Sequence, residues 1–455
     1  MMKRLLMLTS TILLLIVSLS VTASASDYDA VAEDLSAIGM FRGTASGFEL
    51  DRAPKRSEAA IMLVRLYGAE ESAKAAYEAG EISHPFTDVS PTSSPAVAWL
   101  YTNGITNGLT ETTFGSVQPC SAKMYTVFLL RALGYKDGVD FQYADALTFA
   151  QEKGFYDPIM FAGDFLRDDL AALTYQALAA DLADGSTYLL DSLIENGAID
   201  KKAAAPMTET IEAYRTMEDA MAEIDDSAMD MDIEMDMDIV LSADGFSIRQ
   251  DTFSIGSLQM ITDEEKNIQM AYTLETTLDG VTTETNMWMK DGWIYQSITS
   301  EGETIKIKQT VGDEMAALDS TGVVEPSAMN GSGLAMIESI DIARSGANTV
   351  YTTVIRENLG GAMAGASEIT GDDSSGMEFS AMQAAYTVNQ KGQLKKIELV
   401  FSASVEEEIP IDEMGTSLPV TMDYDYDMVM TINATGKAVR IRFPSFADYI
   451  EIPAE

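Results

Sequence analysis

Two periodicities divide the chain. In the first half the apolar positions recur three or four apart, as a helix facing a core requires. Val97, Leu100 and Tyr101 share one helical face with Trp99 alongside, and Gly104 is placed to stop that helix with a left-handed cap. Gly108 permits a tight turn. Ser121 stands where an N-cap belongs, before Met124, Val127, Phe128 and Leu130 restart an apolar face that closes at Gly134. Ile211, Tyr214, Met217, Met221 and Ile224 mark one more amphipathic helix. The period then drops to two. Met229, Met231, Ile233, Met235, Met237 and Ile239 alternate with Asp230, Asp232, Glu234, Asp236 and Asp238, which predicts a strand with one apolar and one acidic face. Consecutive acids on one face of a flat strand do not wrap a calcium ion as a loop does, so this ladder reads as a solvated surface. Further strands are predicted over 270–278, 282–289, 293–300, 381–389, 394–405, 420–433 and 439–443. Asp279-Gly280, Asp291-Gly292, Gln390-Lys391-Gly392 and Ala434-Thr435-Gly436 are the turn signals between them. Short turns between successive strands predict an antiparallel meander with one buried face. Residues 311–345 read as irregular or short-helical, and 360–376 as a flexible loop.

The helical half repeats itself. Residues 86–135 run Phe-x-Asp-Val, an aromatic-bearing helix, Gly-Ile-x-x-Gly, Thr-Phe-Gly, and a second helix ending Arg-Ala-Leu-Gly. Residues 38–68 repeat the later part, with Gly39, Gly43 and Phe48 matching Gly104, Gly108 and Phe114. A weaker third copy spans 143–178. The second helix of each copy opens with a tetrapeptide: Lys55-Arg56-Ser57-Glu58, Ser121-Ala122-Lys123-Met124 and Leu166-Arg167-Asp168-Asp169. Its first residue lies ten before Arg65, Arg131 and Gln176 respectively, a common register. One copy cannot bury its apolar face alone, so the copies are expected to pack on each other.

Composition narrows the chemistry. The formal net charge of -43 argues against nucleic acid, which needs clustered Lys and Arg. A single cysteine, Cys120, excludes an intrachain disulfide framework, and one histidine, His84, leaves little room for a histidine triad or His-rich metal site. Lys3 and Arg4, the apolar run over 5–21 and Ala23-Ser24-Ala25 read as a signal peptide over residues 1–25, cleaved near Ala25.

The repeat resembles the S-layer homology domain, which occurs as three tandem copies. Phe86, Asp88, Val89, Trp99, Gly104, Ile105, Gly108 and Phe114 carry the likeness, together with the tetrapeptide, which in that family reads Thr-Arg-Ala-Glu. The second copy departs from it, lacking both the arginine and the acid. The resemblance implies a pseudo-threefold all-α bundle whose grooves bind secondary cell-wall polysaccharide, often pyruvylated, with the tetrapeptide arginine on a carboxylate. A guanidinium fork can hold a carboxylate bidentately. Candidate polymer contacts are therefore Arg56 and Arg167, their partner acids Glu58 and Asp169, Lys123 as a stand-in in the second copy, and Trp99 as a sugar platform.

The second half, a helix followed by a meander with a Lys-Asp-Gly-Trp turn at 290–293, resembles the lipoprotein-carrier fold of the LolA and LppX types. That resemblance implies an antiparallel β half-barrel whose apolar face takes up acyl chains, for which methionines are suited. The expected organisation is a signal peptide over 1–25, repeats over 26–80, 81–136 and 137–200, a linker over 201–206 and the β domain over 207–455. The expected function is that of a non-enzymatic, cofactor-free protein of the cell surface, anchored to wall polysaccharide and displaying a β domain with an apolar ligand. A surface hydrolase using a carboxylate pair, or an architectural S-layer component, are the alternatives.

Overall fold

The computed structural model describes residues 28–452 apart from 45, 159–160, 162–163, 223–226, 244–245, 264–266, 279, 311–332, 357–376 and 411–416. The signal peptide and the 360–376 loop expected from sequence lie outside the described residues. The chain forms two compact units. One takes in Thr22–Arg215 together with Gly333–Met336; the other takes in Thr216–Ser332 and Ile337–Glu455.

The first unit is helical. Its helices are α1 (Asp29–Ala37), α2 (Arg56–Leu66), α3 (Glu70–Glu78), α4 (Ser94–Thr102), α5 (Ala122–Ala132), α6 (Ala146–Glu152), α7 (Arg167–Leu178) and α8 (Leu189–Glu195), and α9 (Lys201–Ala222) begins in it. The three tetrapeptides open α2, α5 and α7, and their first residues Lys55, Ser121 and Leu166 are the three N-caps. The ten-residue register read from sequence is thus a register of helix starts. Ser121 caps with its side chain, accepting from the Met124 N–H at 3.3 Å. Glu58 and Asp169 instead reach back to the N-cap backbone, at 2.7 Å from the Lys55 N–H and 2.7 Å from the Leu166 N–H. Gly104 and Gly134 follow α4 and α5 at φ 69° and 95°. Leu35, Leu63, Leu100, Leu129, Tyr125 and Tyr175 fill the core. Each such side chain contributes about 1.5–3 kcal/mol through burial. α7 is buried along its whole length except at Asp169, and the Tyr125 hydroxyl meets Thr174 Oγ1 at 2.6 Å, joining α5 to α7.

Residues 201–206, read from sequence as a linker, are the first turns of α9. Pro206 lies inside this helix, which has a strong start. The Asp200 carboxylate accepts from the N–H groups of Lys202 and Ala203 at 3.0 and 2.9 Å.

The second unit is one open twelve-stranded sheet in the order β12-β6-β5-β4-β3-β2-β1-β11-β10-β9-β8-β7. β1 (Ala228–Ala243) enters at its centre. β2 (Phe246–Thr262), β3 (Ile268–Leu278), β4 (Val281–Lys290), β5 (Trp293–Ser300) and β6 (Glu303–Thr310) meander to one edge. The chain crosses to the other edge, and β7 (Ile337–Ser345), β8 (Asn348–Ile355), β9 (Met377–Val388), β10 (Leu394–Pro410) and β11 (Ser417–Thr435) meander back to β1. A two-residue strand, β12 (Ile450–Glu451), pairs in parallel with β6. Positive φ at Asp291 and Gly292 (52° and 76°) makes the tight β4–β5 turn that the dipeptide predicted. Two segments differ from expectation. Residues 337–345 form a strand, not irregular structure, because β8 pairs along nearly their full length. Residues 439–443 form no strand. There the chain leaves the sheet as a strap whose Phe446 stacks on Tyr295 at 3.7 Å.

Candidate functional site

The site is built from the loop of the second copy. Asp88 accepts from three backbone N–H groups, those of Phe114, Gly115 and Ser116, at 2.8, 2.7 and 3.1 Å. Partial burial pushes its carboxyl upward, but these three donors outweigh it and hold the group below the usual range. Gly108 lets the loop close on itself, since at φ 74° an added Cβ would lie 2.3 Å from the Phe86 ring. The loop so fixed offers its carbonyls to the first turn of α2. The Arg56 N–H donates to Gln118 O at 2.9 Å and the Ser57 N–H to Ser116 O at 3.2 Å. The motif aspartate thus acts at one remove, by holding the strip of backbone on which Arg56 sits.

The Arg56 side chain lies between rings. Its guanidinium carbon is 5.0 Å from the Phe114 centroid and 5.9 Å from that of Phe128. Nη1 reaches Met124 Sδ at 3.9 Å, and Nε is buried with no hydrogen-bond partner. Among the described residues no carboxylate forms an ion pair with it. Burial lowers its pKa, but an arginine keeps its proton in proteins, so the group is a desolvated cation without a counter-ion. The phenol of Tyr143, an exposed aromatic, lies within electrostatic reach.

Arg167 has the same place in α7 and a different environment. Its side chain is buried, donating from Nε to Phe48 O at 2.9 Å and pairing with Glu58 at 3.3 Å, with its guanidinium 4.9 Å from the Phe41 centroid. Its backbone N–H donates to Arg52 O at 3.0 Å and to Leu50 O at 3.2 Å, so α7 starts on the loop of the first copy as α2 starts on that of the second. Glu58 also takes Arg52 bidentately at 2.7 and 3.0 Å. Burial raises the Glu58 carboxyl, but Arg52, the Lys55 N–H and Arg167 together bring it below its ordinary value.

Residues 85–115 match the S-layer homology domain. The chain carries that domain. The match covers the Asp88 loop that seats Arg56 and lies within the second copy. None of the curated proteins matches the chain. Among solved structures, LprF from Mycobacterium bovis is 9% identical, covering 52% of this chain and 97% of its own, with a TM-score of 0.27. A DUF1329 family protein from Desulfovibrio piger is 10% identical over 48% of this chain and 91% of its own, with a TM-score of 0.15. A putative outer membrane lipoprotein-sorting protein domain from Vibrio parahaemolyticus is 9% identical over 49% of this chain and 91% of its own, also with a TM-score of 0.15.

The other polymer contacts expected from sequence disperse. Lys123 is on the first turn of α5 beside Met124 and donates to Ala144 O at 3.0 Å, which places it near Arg56 and Tyr143. Trp99 is half-buried and packs elsewhere, its ring 5.3 Å from that of Tyr67. Glu58 and Asp169 are capping acids, and burial pushes the Asp169 carboxyl up to about 7 against the pull of the Leu166 N–H. Cys120 is buried and its thiol is pushed up to about 12 by that burial, as befits a packing residue. Tyr143, which sequence reasoning did not single out, is an exposed aromatic that opens the 3₁₀ turn Tyr143–Asp145.

The sheet holds a second surface. Along β1 the apolar side chains Met229, Met231, Ile233 and Met235 are buried, and the last three face Ile432, Met430 and Met428 on β11. Beyond them the same face continues as Met237, Ile239 and Leu241, with Met422 and Tyr424 on β11 and Ile248 on β2, and all of these are half-exposed or exposed. The opposite face carries the acids, with Asp236 facing Asp427 and Asp238 facing both Asp425 and Asp251. Among the described residues no group of three or more His, Cys, Asp or Glu is placed to hold a metal ion. Glu218, in the last turns of α9, has Oε1 buried without a partner, and burial pushes its carboxyl up to about 7.

Proposed function

We propose that this is a secreted, non-enzymatic protein of the bacterial surface, held to an acidic secondary cell-wall polysaccharide by its helical unit and presenting a sheet that holds an apolar ligand. The three copies form a pseudo-threefold bundle in this reading. The docking of α2 on the second loop and of α7 on the first supports that cyclic arrangement. One observation carries the anchoring function: Arg56 is a half-buried, ring-flanked guanidinium whose buried Nε has no partner and which, among the described residues, has no counter-ion. An anionic sugar substituent, such as a pyruvyl ketal carboxylate, supplies the missing charge and two acceptor oxygens. Tyr143 offers the adjoining sugar ring an apolar face, and Lys123 adds a second cation. Beyond about 8 Å the repulsion from the acidic background is screened at physiological salt, so these local contacts decide binding. Arg167 and Glu58 contribute the architecture that seats them.

The test is co-sedimentation of the full mature chain with cell-wall sacculi, intact and stripped of secondary polymer. The parent is expected to pellet only with intact sacculi, and Arg56→Ala to stay in solution. Equal pelleting of the variant would overturn the assignment of this site. The apolar reading of the sheet rests on the exposed continuation of the β1 face through Leu241 and Ile248. Organic extraction and mass spectrometry of the purified chain should recover a lipid-like molecule that a Leu241→Asp/Ile248→Asp variant lacks. An empty parent chain would instead favour an architectural role for the sheet.

A further inference from the structure

The connection from β6 to β7 contributes residues to the helical unit. Gly333–Met336 belong to it, although more than a hundred residues of sheet-forming chain separate them from its last helix. Leu334, Ala335 and Met336 form one 3₁₀ turn, with exposures of 0%, 0% and 1%. That turn packs on α7. α1, α5 and α8 also pack on α7. Leu170, Ala171, Ala172, Leu173, Ala177 and Leu178 of α7 are all buried. Three apolar residues from a distant part of the chain complete this enclosure.

We propose that Leu334–Met336 act as a clip that completes the helical unit, so that the unit becomes competent to bind the wall only after the chain through Met336 is in place. The route is short. The clip covers α7, and the start of α7 is bonded to the first-copy loop and to Glu58 in the first turn of α2, the helix that carries Arg56. Loss of the clip loosens α7, and with it the anchorage of α2. The binding part of this inference rests on the wall-polymer reading above; the structural part does not.

The experiment uses the full mature chain with Leu334→Asp and Met336→Asp combined. Ile342→Asp, on an exposed β7 position (48%), is the control. Amide hydrogen exchange is followed peptide by peptide. Exchange across α7 and α2 is expected to accelerate at least tenfold in the clip variant and to stay at the parent rate in the control, while β1, β10 and β11 keep their protection in both. Unchanged exchange across α7 would overturn the clip. Sacculus binding by the same proteins is expected to weaken at least tenfold for the clip variant. Faster exchange with parental binding would overturn the conditional anchoring and leave the clip as a packing device. If the parent itself fails to bind sacculi, the wall-polymer reading falls, and the exchange data still decide the clip.

Discussion

The starts of α2 and α7 are the same motif in two environments. Both have an extended N-cap, an arginine at the first helical position and an acid that reaches back to the cap, and both rest on the loop of another copy. At α7 the arginine is matched: Phe48 O takes Nε, Glu58 takes Nη1, and Arg52 and Glu49 extend the network. At α2 the loop residues that face the arginine are Phe114 and, from α5, Phe128 and Met124, none of which neutralises it. One sequence position therefore serves as a structural rivet in one copy and as an open cationic site in another. The motif places the guanidinium, and the neighbouring copy decides what it does.

The comparison breaks most sharply at the rivet. Arg167→Ala leaves Glu58 with one partner fewer and Phe48 O without its donor, in a site where Arg167 is almost fully enclosed. Removing one member of a buried ion pair costs about 3–5 kcal/mol. The helical unit's unfolding midpoint in urea should fall accordingly, with the sheet's transition unmoved. Next comes Asp88→Ala. It strands three backbone N–H groups and should cost about 2–3 kcal/mol, because leaving even one buried donor unpaired costs about 1–3 kcal/mol. It should also weaken wall binding, since the loop seats Arg56. The third change has the opposite sign. Arg56→Met replaces a desolvated, unpaired cation by an apolar side chain among rings, and should stabilise the unit by about 1 kcal/mol while abolishing sacculus binding. A variant that is both more stable and unable to bind marks a functional residue, and a loss of stability here would erase the contrast with Arg167.

Much of this was legible in the sequence. The ten-residue register gave the three helix starts because N-caps and apolar spacing are local properties. The Met-Asp alternation predicted β1 and its faces because the side-chain period of a strand is two. The separate roles of Arg56 and Arg167 were not legible, because the deciding groups come from elsewhere: Phe114 and Phe128 from the second copy, Glu58 and Phe48 from the first. Leu334–Met336 have no periodicity to read in three residues, and their partner is α7, far away in the chain. Residues 201–206, expected as a linker, are helical because the Asp200 carboxylate caps the start of α9.

The smallest effect separates the two capping acids by pH. Glu58 and Asp169 do the same work, yet their carboxyls move in opposite directions. Arg52 and Arg167 flank Glu58, whereas Asp169 has burial and the like charge of Asp168 to contend with. Glu58 titrates lower in the folded chain than in the unfolded one. Its contribution is therefore complete above the unfolded value near 4.3 and is lost as pH falls through the folded value. Asp169 titrates higher in the folded chain, at about 7, against about 3.9 unfolded. The folded state then holds the extra proton between these values, so stability is greatest at the acid end of that window and declines as pH rises toward 7. The helical unit should be most stable near about pH 4 to 4.5, where the Glu58 contribution is nearly complete and the Asp169 cost has barely begun. Asp169→Asn keeps an acceptor for the Leu166 N–H and removes the ionisation. At pH 8 it should gain about 1 kcal/mol, less than full linkage gives because water partly screens the group, and the gain should shrink steadily until the variant matches the parent at about pH 4. Urea unfolding of both proteins from pH 4 to 8 reads this directly. Parallel curves at every pH would mean that Asp169 ionises as freely as a surface acid, and that the two caps differ less than their surroundings suggest.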